Sequence, residues 1–389
     1  MKSITYSNLR IWNGFSTDYS EDTSITVTDG TISGIGKSGP NPRDMTGLTV
    51  VPGLIDAHVH MTLDPAISSM DVQLAQTDIE IQSKMDTRAR EMVHAGITTA
   101  RDLGGGRWLE IDLRERIRSN EVPGPRLLCA GQPLTSHNGH CHFWGGVATS
   151  ESEIEEVIQR QHEHEVDLVK IMATGGMYTK ISKPGLAQFS QEHFDFAVQT
   201  ANGLGYRVAA HCHGTQGIAR AARAGVDTIE HCSWLSRDGS RSTCDKKVAR
   251  EISERGIWVS PTVNAGWARF MAGNGKFENL LKKLFSTMKA CGVKFIASTD
   301  AGIPNVRHHE LAHALDVFAK LAGLSCVETL RTATSNAAQA LAIDHVTGTI
   351  EKGKAADLLF VEGDPLNDLG VLQRPAMVVS QGSEHRNGS

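Results

Sequence analysis

One stretch of the sequence decides the fold: Val51-Pro52-Gly53-Leu54-Ile55-Asp56-Ala57-His58-Val59-His60. It is an apolar run that ends in two histidines separated by one residue, so it predicts a buried strand with polar groups at its end. Side chains alternate along a strand, and His58 and His60 are therefore expected to point the same way. Two imidazoles on one side of a strand end suit a first-row transition metal.

Seven comparable apolar segments follow this one, and amphipathic stretches lie between them. This alternation is typical of βα units around a parallel sheet. Eight such units within residues 51–344 predict an α/β fold of the (β/α)8 TIM-barrel type, since a doubly wound open sheet rarely needs eight strands. The predicted strands are Gly53–His60, Ile97–Leu103, Arg126–Gly131, Asp167–Ala173, Arg207–His213, Thr228–Cys232, Trp258–Thr262 and Lys294–Asp300.

The two ends of the chain instead contain short strands separated by turns. Residues 1–50 and 345–389 are therefore predicted to form one small β-sandwich domain, built from both termini. Asp29-Gly30 predicts a hairpin turn in the first of these segments. The polar tail, residues 381–389, is expected to fray.

Composition excludes several classes of protein. The chain has 389 residues and a formal charge of −5, without a basic block, so we expect no nucleic-acid or membrane-surface partner. No apolar run approaches the ~18 residues of a membrane span, and the first residues lack the apolar stretch of a secretory signal. The seven cysteines are scattered and include no CxxC pair, as expected of reduced thiols in a cytoplasmic protein.

Polar residues also end several of the later strands, where a barrel carries its active site. Lys170 is the most informative, because an unpaired ammonium within an apolar strand is costly and must be paired, neutralised or modified. Taken singly, Asp300 could cap the next helix and His231 could be a core histidine. Their joint occurrence at strand ends predicts a metal site. The set comprises Lys170, His211, His213, Glu230, His231 and Asp300.

These motifs together resemble the amidohydrolase superfamily, in its binuclear metal branch. The stretch 51–60 is similar to the opening metal motif of that superfamily, and the lysine, histidines and aspartate at later strand ends match the rest. Flanking sequence resembles the Xaa-Pro-dipeptidase-like, imidazolonepropionase-related group, and the likeness covers essentially the whole chain. The matching segments are Val169–Gly176, Gln188–Ser190, Ala210–Gly214, Gly225–His231 and Gly353–Leu358.

The resemblance implies two divalent metal ions as cofactors. Zinc is the first candidate, although histidine and carboxylate ligands also suit manganese, cobalt or iron. Lys170 would bridge both ions as an Nζ-carbamate (N6-carboxylysine), because carbamylation turns a repelling cation into a bidentate anion. The other implied ligands are His58, His60 and Asp300 for the more buried ion, and His211 and His231 for the more exposed one.

The implied reaction is hydrolysis of an amide (peptide-like) bond by a hydroxide that bridges the two metals. Asp300 would take the proton of that hydroxide and pass it to the leaving amine, while His140 or His213 would donate a hydrogen bond to the oxyanion. A dipeptide or an N-acyl amino acid is the expected substrate. A carbamate, urea, ester or toxin amide is the alternative. A metal-free, non-catalytic barrel scaffold is a third hypothesis, which the filled ligand positions disfavour.

Specificity must come from the loops after the strands. His140 lies in Asn138-Gly139-His140, where the dipeptidase-like group has Gly-Gly-His with a histidine that reaches the substrate. His213 is a second candidate contact. The glycine-containing loop 175–184 could move as a lid. It carries Tyr178 and Lys180.

Tyr178 and Lys180, together with Arg307, could hold a substrate carboxylate, or they could be solvated surface residues. The apolar segment 263–275 could line the pocket or pack against the barrel. The resemblance also implies a homo-oligomer that acts on a small molecule.

Overall fold

The structure is a computed structural model that describes residues 3–36, 39–271 and 275–386. Helices alternate with parallel strands in the middle of the chain, and mainly antiparallel strands occupy its two ends. This confirms the α/β fold with parallel sheets that the sequence pattern predicts. Parts of two predicted segments lie outside the described residues. They are the last three residues of the tail, which was expected to fray, and residues 272–274 of the apolar segment.

The strands follow in chain order, and their labels are used below. They are β1 (Ser3–Ser7), β2 (Arg10–Ile11), β3 (Ile25–Thr28), β4 (Thr31–Ile35), β5 (Pro42–Asp44), β6 (Leu48–Pro52), β7 (Leu54–Val59), β8 (Ile97–Asp102), β9 (Arg126–Cys129), β10 (Leu168–Met172), β11 (Arg207–Gly214), β12 (Thr228–Leu235), β13 (Trp258–Ser260), β14 (Lys294–Phe295), β15 (Leu358–Glu362), β16 (Pro375–Ser380) and β17 (Ser383–His385).

The helices are labelled in the same way. They are α1 (Met70–Ala75), α2 (Asp78–His94), α3 (Leu109–Arg118), α4 (Glu151–Glu163), α5 (Gln191–Gly203), α6 (Thr215–Ala224), α7 (Lys246–Glu254), α8 (Ala268–Met271), α9 (Lys276–Ala290), α10 (Leu311–Ala322), α11 (Cys326–Thr332) and α12 (Ser335–Ala340). Within the part of the chain that the structure describes, no helix is both long and apolar enough to cross a membrane.

Two parallel sheets form the middle of the molecule. One has the order β7-β8-β9, and the other has the order β10-β11-β12-β13-β14. Parallel bridges also link them, from Leu134 after β9 to Ile171 of β10, and from Val59 of β7 to Ala301 beyond β14. Because parallel strands end at the same edge, the residues that follow all eight strands are brought to one side of the molecule.

The last of the parallel strands is shorter than predicted. The pattern predicts Lys294–Asp300, whereas β14 ends at Phe295. Beyond it, the backbone N–H of Asp300 still donates to the carbonyl of His58 in β7, at 2.9 Å. Asp300 has a φ of 61°, which a regular strand does not allow, so the backbone turns at the residue that the sequence marked as a ligand.

The two ends of the chain form two further sheets, ordered β4-β3-β1-β5 and β17-β16-β15-β6-β2. One apolar cluster contains side chains of both sheets, including Tyr6 and Phe360, whose ring centroids are 5.1 Å apart. Asp29 and Gly30 both have positive φ between β3 and β4, which confirms the predicted hairpin turn. The first and last segments of the chain therefore share one core.

Helix α3 carries a buried carboxyl group at Glu110, which has no exposed surface. Neither of its carboxyl oxygens has a hydrogen-bond partner among the described residues. Burial, with a contribution from the carboxyl group of Asp102, raises the pKa of Glu110 to about 8. Glu110 is therefore largely neutral in the folded protein at neutral pH.

The raised pKa of Glu110 should make the protein less stable as the pH rises. The unfolded chain ionises Glu110 near its ordinary pKa of 4.5, and the folded chain does so only near 8. The stability contribution of this group is thus fully present below pH 4.5 and is lost as the pH rises through about 8. The substitution Glu110→Gln removes the titrating group.

We expect the free energy of unfolding of Glu110→Gln to improve relative to the wild-type protein as the pH rises from about 5 to about 8. Urea unfolding of both proteins across this range measures the difference. A difference that does not change with pH would contradict this account of Glu110.

Candidate metal centre and active site

A cavity of about 330 Å³ lies at the carboxyl ends of the parallel strands. It contains all six predicted metal ligands together with both predicted oxyanion donors. The strands that supply them are far apart in the sequence, so the cavity exists only because the sheets bring their ends together. These lining residues are His58, His60, His140, Lys170, His211, His213, His231 and Asp300.

The first group in the cavity consists of His58, His60 and Asp300. The Oδ1 atom of Asp300 is 3.2 Å from His58 Nε2 and 3.4 Å from His60 Nε2. The two Nε2 atoms are 3.3 Å apart. Three potential ligand atoms thus converge, and the group could bind a metal ion.

The other ring nitrogens of these histidines have partners that can only accept hydrogen bonds. His58 Nδ1 is 2.9 Å from Glu230 Oε2, and His60 Nδ1 is 2.9 Å from the carbonyl oxygen of Gly104. The Nδ1 atoms must therefore carry the protons. Each Nε2 keeps its lone pair and faces Asp300, as a metal ligand requires.

Glu230 is held as an anion in this arrangement. Burial raises its pKa, but Arg101, at 2.8 Å, and His58 outweigh burial, so the pKa of Glu230 lies below its ordinary value. Thr228 donates a hydrogen bond to the same carboxylate. The sequence shows Glu230 beside His231 but indicates no role for it, and it gives no signal for Arg101. The contacts of Glu230 with His58 in β7 and with Arg101 in β8 form only when the chain folds.

Asp56 ties the strand end at His58 to the segment that carries Asp300. Its Oδ1 accepts hydrogen bonds from the backbone N–H groups of His58 and Thr299, and its Oδ2 accepts one from the Thr299 hydroxyl. Asp56 therefore links the strand that carries His58 to the segment that carries Asp300.

His211, His213 and His231 form a second group, with potential ligand nitrogens within 4.8 Å of one another. His211 Nε2 is 3.2 Å from the carbonyl oxygen of Gly175, so this nitrogen donates and Nδ1 is left free. His231 Nδ1 is 2.8 Å from the Thr262 hydroxyl. His213, the second candidate substrate contact, lies beside these two histidines and lines the cavity.

Lys170 lies in β10 and lines the same cavity, although it is only 1% exposed. Its Nζ makes no hydrogen bond or ion pair with residues 3–36, 39–271 or 275–386, although the carboxylates of Glu230 and Asp300 act on it through space. Burial lowers the pKa of Lys170 to about 8. About a tenth of the amine is therefore neutral at pH 7, and neutral amine is the form that reacts with carbon dioxide. These observations fit a carbamate better than a plain buried ammonium.

The remaining predicted substrate contacts are only partly brought together. Tyr178 lines the cavity, whereas Lys180 and Arg307 do not. The loop turns Lys180 out to solvent, and the exposed Arg307 lines a separate groove beside Arg88. Their predicted contact with substrate in this cavity is therefore not supported.

The walls of the cavity are largely apolar. Trp267 of the predicted apolar segment lines the cavity, while Phe270 packs against Phe277, with ring centroids 5.1 Å apart. Among the described residues, Lys170 is the only lysine or arginine that lines the cavity. The apolar lining residues are Leu63, Trp144, Met172, Met177, Trp267, Ile303 and Pro304.

Comparison with protein families agrees with this site. The model of the amidohydrolase family matches residues 49–384. The chain belongs to the amidohydrolase family. The match includes every candidate ligand and most of the C-terminal sheet, and it confirms the resemblance seen in the sequence motifs.

Known amidohydrolases are similar to this chain over nearly its whole length. A crystal structure of a Xaa-Pro dipeptidase with methionine in its active site has a TM-score of 0.87 and 26% identity, covering 99% of this chain and 100% of that one. Ochratoxinase of Aspergillus niger is 24% identical over 91% of this chain and 80% of its own length. Imidazolonepropionase of Sphingopyxis alaskensis is 26% identical over 89% of this chain and 88% of its own.

The contact between Glu230 and His58 predicts an effect on metal affinity in this amidohydrolase. In Glu230→Gln, the anionic acceptor that orients His58 is lost, so the affinity for zinc should fall about 10–100-fold. Competition with a chromophoric chelator measures that affinity. Glu110→Gln is the matched control, because it neutralises another fully buried carboxyl group that does not line the cavity.

The thermal midpoint of Glu230→Gln must be recorded alongside, since the substitution also leaves Arg101 without its anionic partner. Equal zinc affinities for the two variants and the wild-type protein would contradict an orienting role for Glu230.

Proposed function

We propose that this amidohydrolase is a two-metal enzyme that cleaves an amide bond of a small molecule. One observation carries the proposal: two groups of imidazoles and the buried Lys170 share a single cavity. The arrangement disfavours the alternative of a metal-free scaffold. The Nε2 lone pairs of His58 and His60 face Asp300, which suits a bound metal ion and is not needed in a scaffold.

The residues that would hold the ions follow from the two groups. Zinc is the first candidate, given the histidine and carboxylate donors. Two divalent ions, when bound, supply Lewis acidity and lower the pKa of a shared water towards neutrality. His58, His60 and Asp300 would hold one ion, His211 and His231 the other, and Lys170 would join them as N6-carboxylysine.

The chain's own groups perform the rest of the reaction. Asp300 Oδ1 faces the imidazoles, so Oδ2 is the atom that would receive the proton of the attacking water and deliver it to the leaving amine. His140 or His213 would donate a hydrogen bond to the oxyanion. Burial lowers the pKa of His140 to about 3, so this imidazole is a neutral donor at working pH.

We also propose the architecture that the sequence pattern predicts. The bridges at Leu134 and Val59 support closure of the eight parallel strands into a (β/α)8 barrel over residues 51–344. The shared apolar cluster supports a β-sandwich made of residues 1–50 and 345–389. The seven free cysteines are consistent with the reducing cytoplasm. Assembly into a homo-oligomer is proposed from the family likeness alone.

Two classes of substrate have support. The likeness to a Xaa-Pro dipeptidase favours a dipeptide or an N-acyl amino acid. The cavity favours the alternative, a neutral amide such as a toxin amide, or a carbamate, urea or ester. Lys170 is the only lysine or arginine lining it within the described residues. The apolar walls suit an aromatic or other bulky group in either class.

Matched pairs of substrates test the proposal. Each pair consists of an N-acyl amino acid with an aromatic acyl group and its uncharged carboxamide. Both are offered to the enzyme reconstituted with zinc and bicarbonate, and the amine released is measured. We expect turnover of both members, with kcat/KM for the carboxylate no more than about threefold above that for the carboxamide, since a dedicated cationic partner would give about 10-fold or more.

Lys170→Ala is the control for the chemistry and should lose turnover and metal together. Lys180→Ala and Arg307→Ala should keep kcat/KM within about twofold of the wild-type value, because neither residue lines the cavity. A strong preference for carboxylates that disappears in Lys180→Ala or Arg307→Ala would overturn the neutral-substrate alternative. Absence of turnover across the panel by enzyme with two bound metals would overturn the proposed function.

A further inference from the structure

The backbone of His140 is held by two side chains, one at its amide and one at its carbonyl group. Its N–H donates to Gln188 Oε1 at 2.5 Å, and its carbonyl oxygen accepts from the Thr135 hydroxyl at 2.8 Å. Gln188 donates in turn to Thr135, at 3.1 Å, and to the carbonyl of Met172 in β10. The backbone of His140 is therefore attached to the strand that carries Lys170.

The ring of His140 is fixed by the next loop. Its Nδ1 is 3.0 Å from the hydroxyl oxygen of Thr179, which is itself only 5% exposed. The backbone N–H of Cys141 donates to the same hydroxyl oxygen, also at 3.0 Å. The Thr179 hydroxyl therefore already accepts one hydrogen bond, and the proton it carries needs an acceptor.

Two groups could accept that proton: the ring nitrogen His140 Nδ1, and the thiol sulfur of Cys141, which is a weak acceptor. If Nδ1 carried the ring proton instead, the buried Thr179 hydroxyl would exchange a good nitrogen acceptor for the weak sulfur acceptor of Cys141, which costs free energy. The favoured state thus has Thr179 donating to Nδ1 and the ring proton on Nε2. His140 Nε2 has no partner within the described ranges, and the residue lines the cavity.

We propose that Thr179 is a positioning residue for His140: it holds the imidazole in the Nε2–H tautomer, so that the ring presents a donor to the substrate. The inference deepens the proposed function and rests on it for the role of His140 at the oxyanion. His140 lies beside the candidate ligands, with its ring centroid 4.5 Å from that of His211. A donor at this place is aimed at charge that develops during the reaction.

The same loop also limits where the ring can go. Gly176 lies against the His140 imidazole so closely that a Cβ added there would be 2.4 Å from its Nε2 and Cε1 atoms. Ser182 donates to the carbonyl of Thr179 and bonds to Gly176, which closes the loop on itself. The loop that borders the cavity therefore supplies both the hydroxyl and the surface that orient His140.

Three variants test the proposal in the zinc- and bicarbonate-reconstituted enzyme, with the fastest substrate of the matched-pair panel. Thr179→Val keeps the shape but removes the hydroxyl, and should lower kcat about 10–100-fold with KM changed less than about threefold, as expected for an interaction made in the transition state. Thr179→Ser keeps the hydroxyl and should stay within about threefold of wild-type kcat. Thr287→Val, in α9 and outside the cavity lining, is the matched control.

A double-mutant cycle separates positioning from a general structural role. His140→Ala should lower kcat about 100–1,000-fold. If Thr179 acts through His140, adding Thr179→Val to His140→Ala changes kcat less than about twofold, because the effects are not additive. Zinc content and the thermal midpoint are measured for each variant. Full additivity, or a wild-type kcat for Thr179→Val, would overturn the proposal.

The tautomer of His140 can also be determined by a measurement that needs no substrate. Nitrogen-15 NMR of histidine-labelled protein, with His140→Ala used to assign the signals, shows which ring nitrogen carries the proton. An Nε2–H form in the wild-type protein that is lost or mixed in Thr179→Val is the expected result. A proton on Nδ1 in the wild-type protein would overturn the positioning role, even if the enzyme hydrolysed no substrate of the panel and the proposed function failed.

Discussion

The burial of Lys170 is the constraint on which the rest of the site depends. Its amine lies in a strand of apolar neighbours, and burial lowers its pKa to about 8. In our proposal, carbon dioxide converts the amine to an anion that joins two metal ions. This would resolve the desolvation problem and the repulsion among the surrounding charges together. In the same proposal, the two imidazole groups that share the cavity with Lys170 act together through this bridge.

The orientation of each imidazole comes from a residue elsewhere in the chain. Glu230 in β12 directs His58 in β7, the carbonyl of Gly104 directs His60, and the carbonyl of Gly175 directs His211. These partners accept hydrogen bonds and so decide which nitrogen remains free. Because the side chains already have the orientation that a ligand needs, little free energy is spent on rearranging them when it binds. The loop contact proposed between Thr179 and His140 extends the same logic to a donor.

Much of the fold and of the candidate metal site could be predicted from the sequence, because both depend on patterns among neighbouring residues. Apolar runs and the position of polar residues at their ends depend only on neighbouring residues, so the parallel strands and the convergence of His58, His60 and Asp300 followed from the pattern. Contacts set by loop paths could not be predicted. Lys180 and Arg307 were candidates to hold a substrate carboxylate, but neither lines the cavity. Nothing in the sequence pointed to Arg101 or Thr179.

The most direct test of the account is an anomalous difference map from crystals of the protein grown with zinc and bicarbonate. The account predicts two zinc peaks. One would lie among His58, His60 and Asp300, and the other beside His211 and His231, with continuous density for a carboxylated Lys170 between them. A single peak, or two peaks with an unmodified Lys170 that touches neither, would contradict the bridging role on which the proposed chemistry rests.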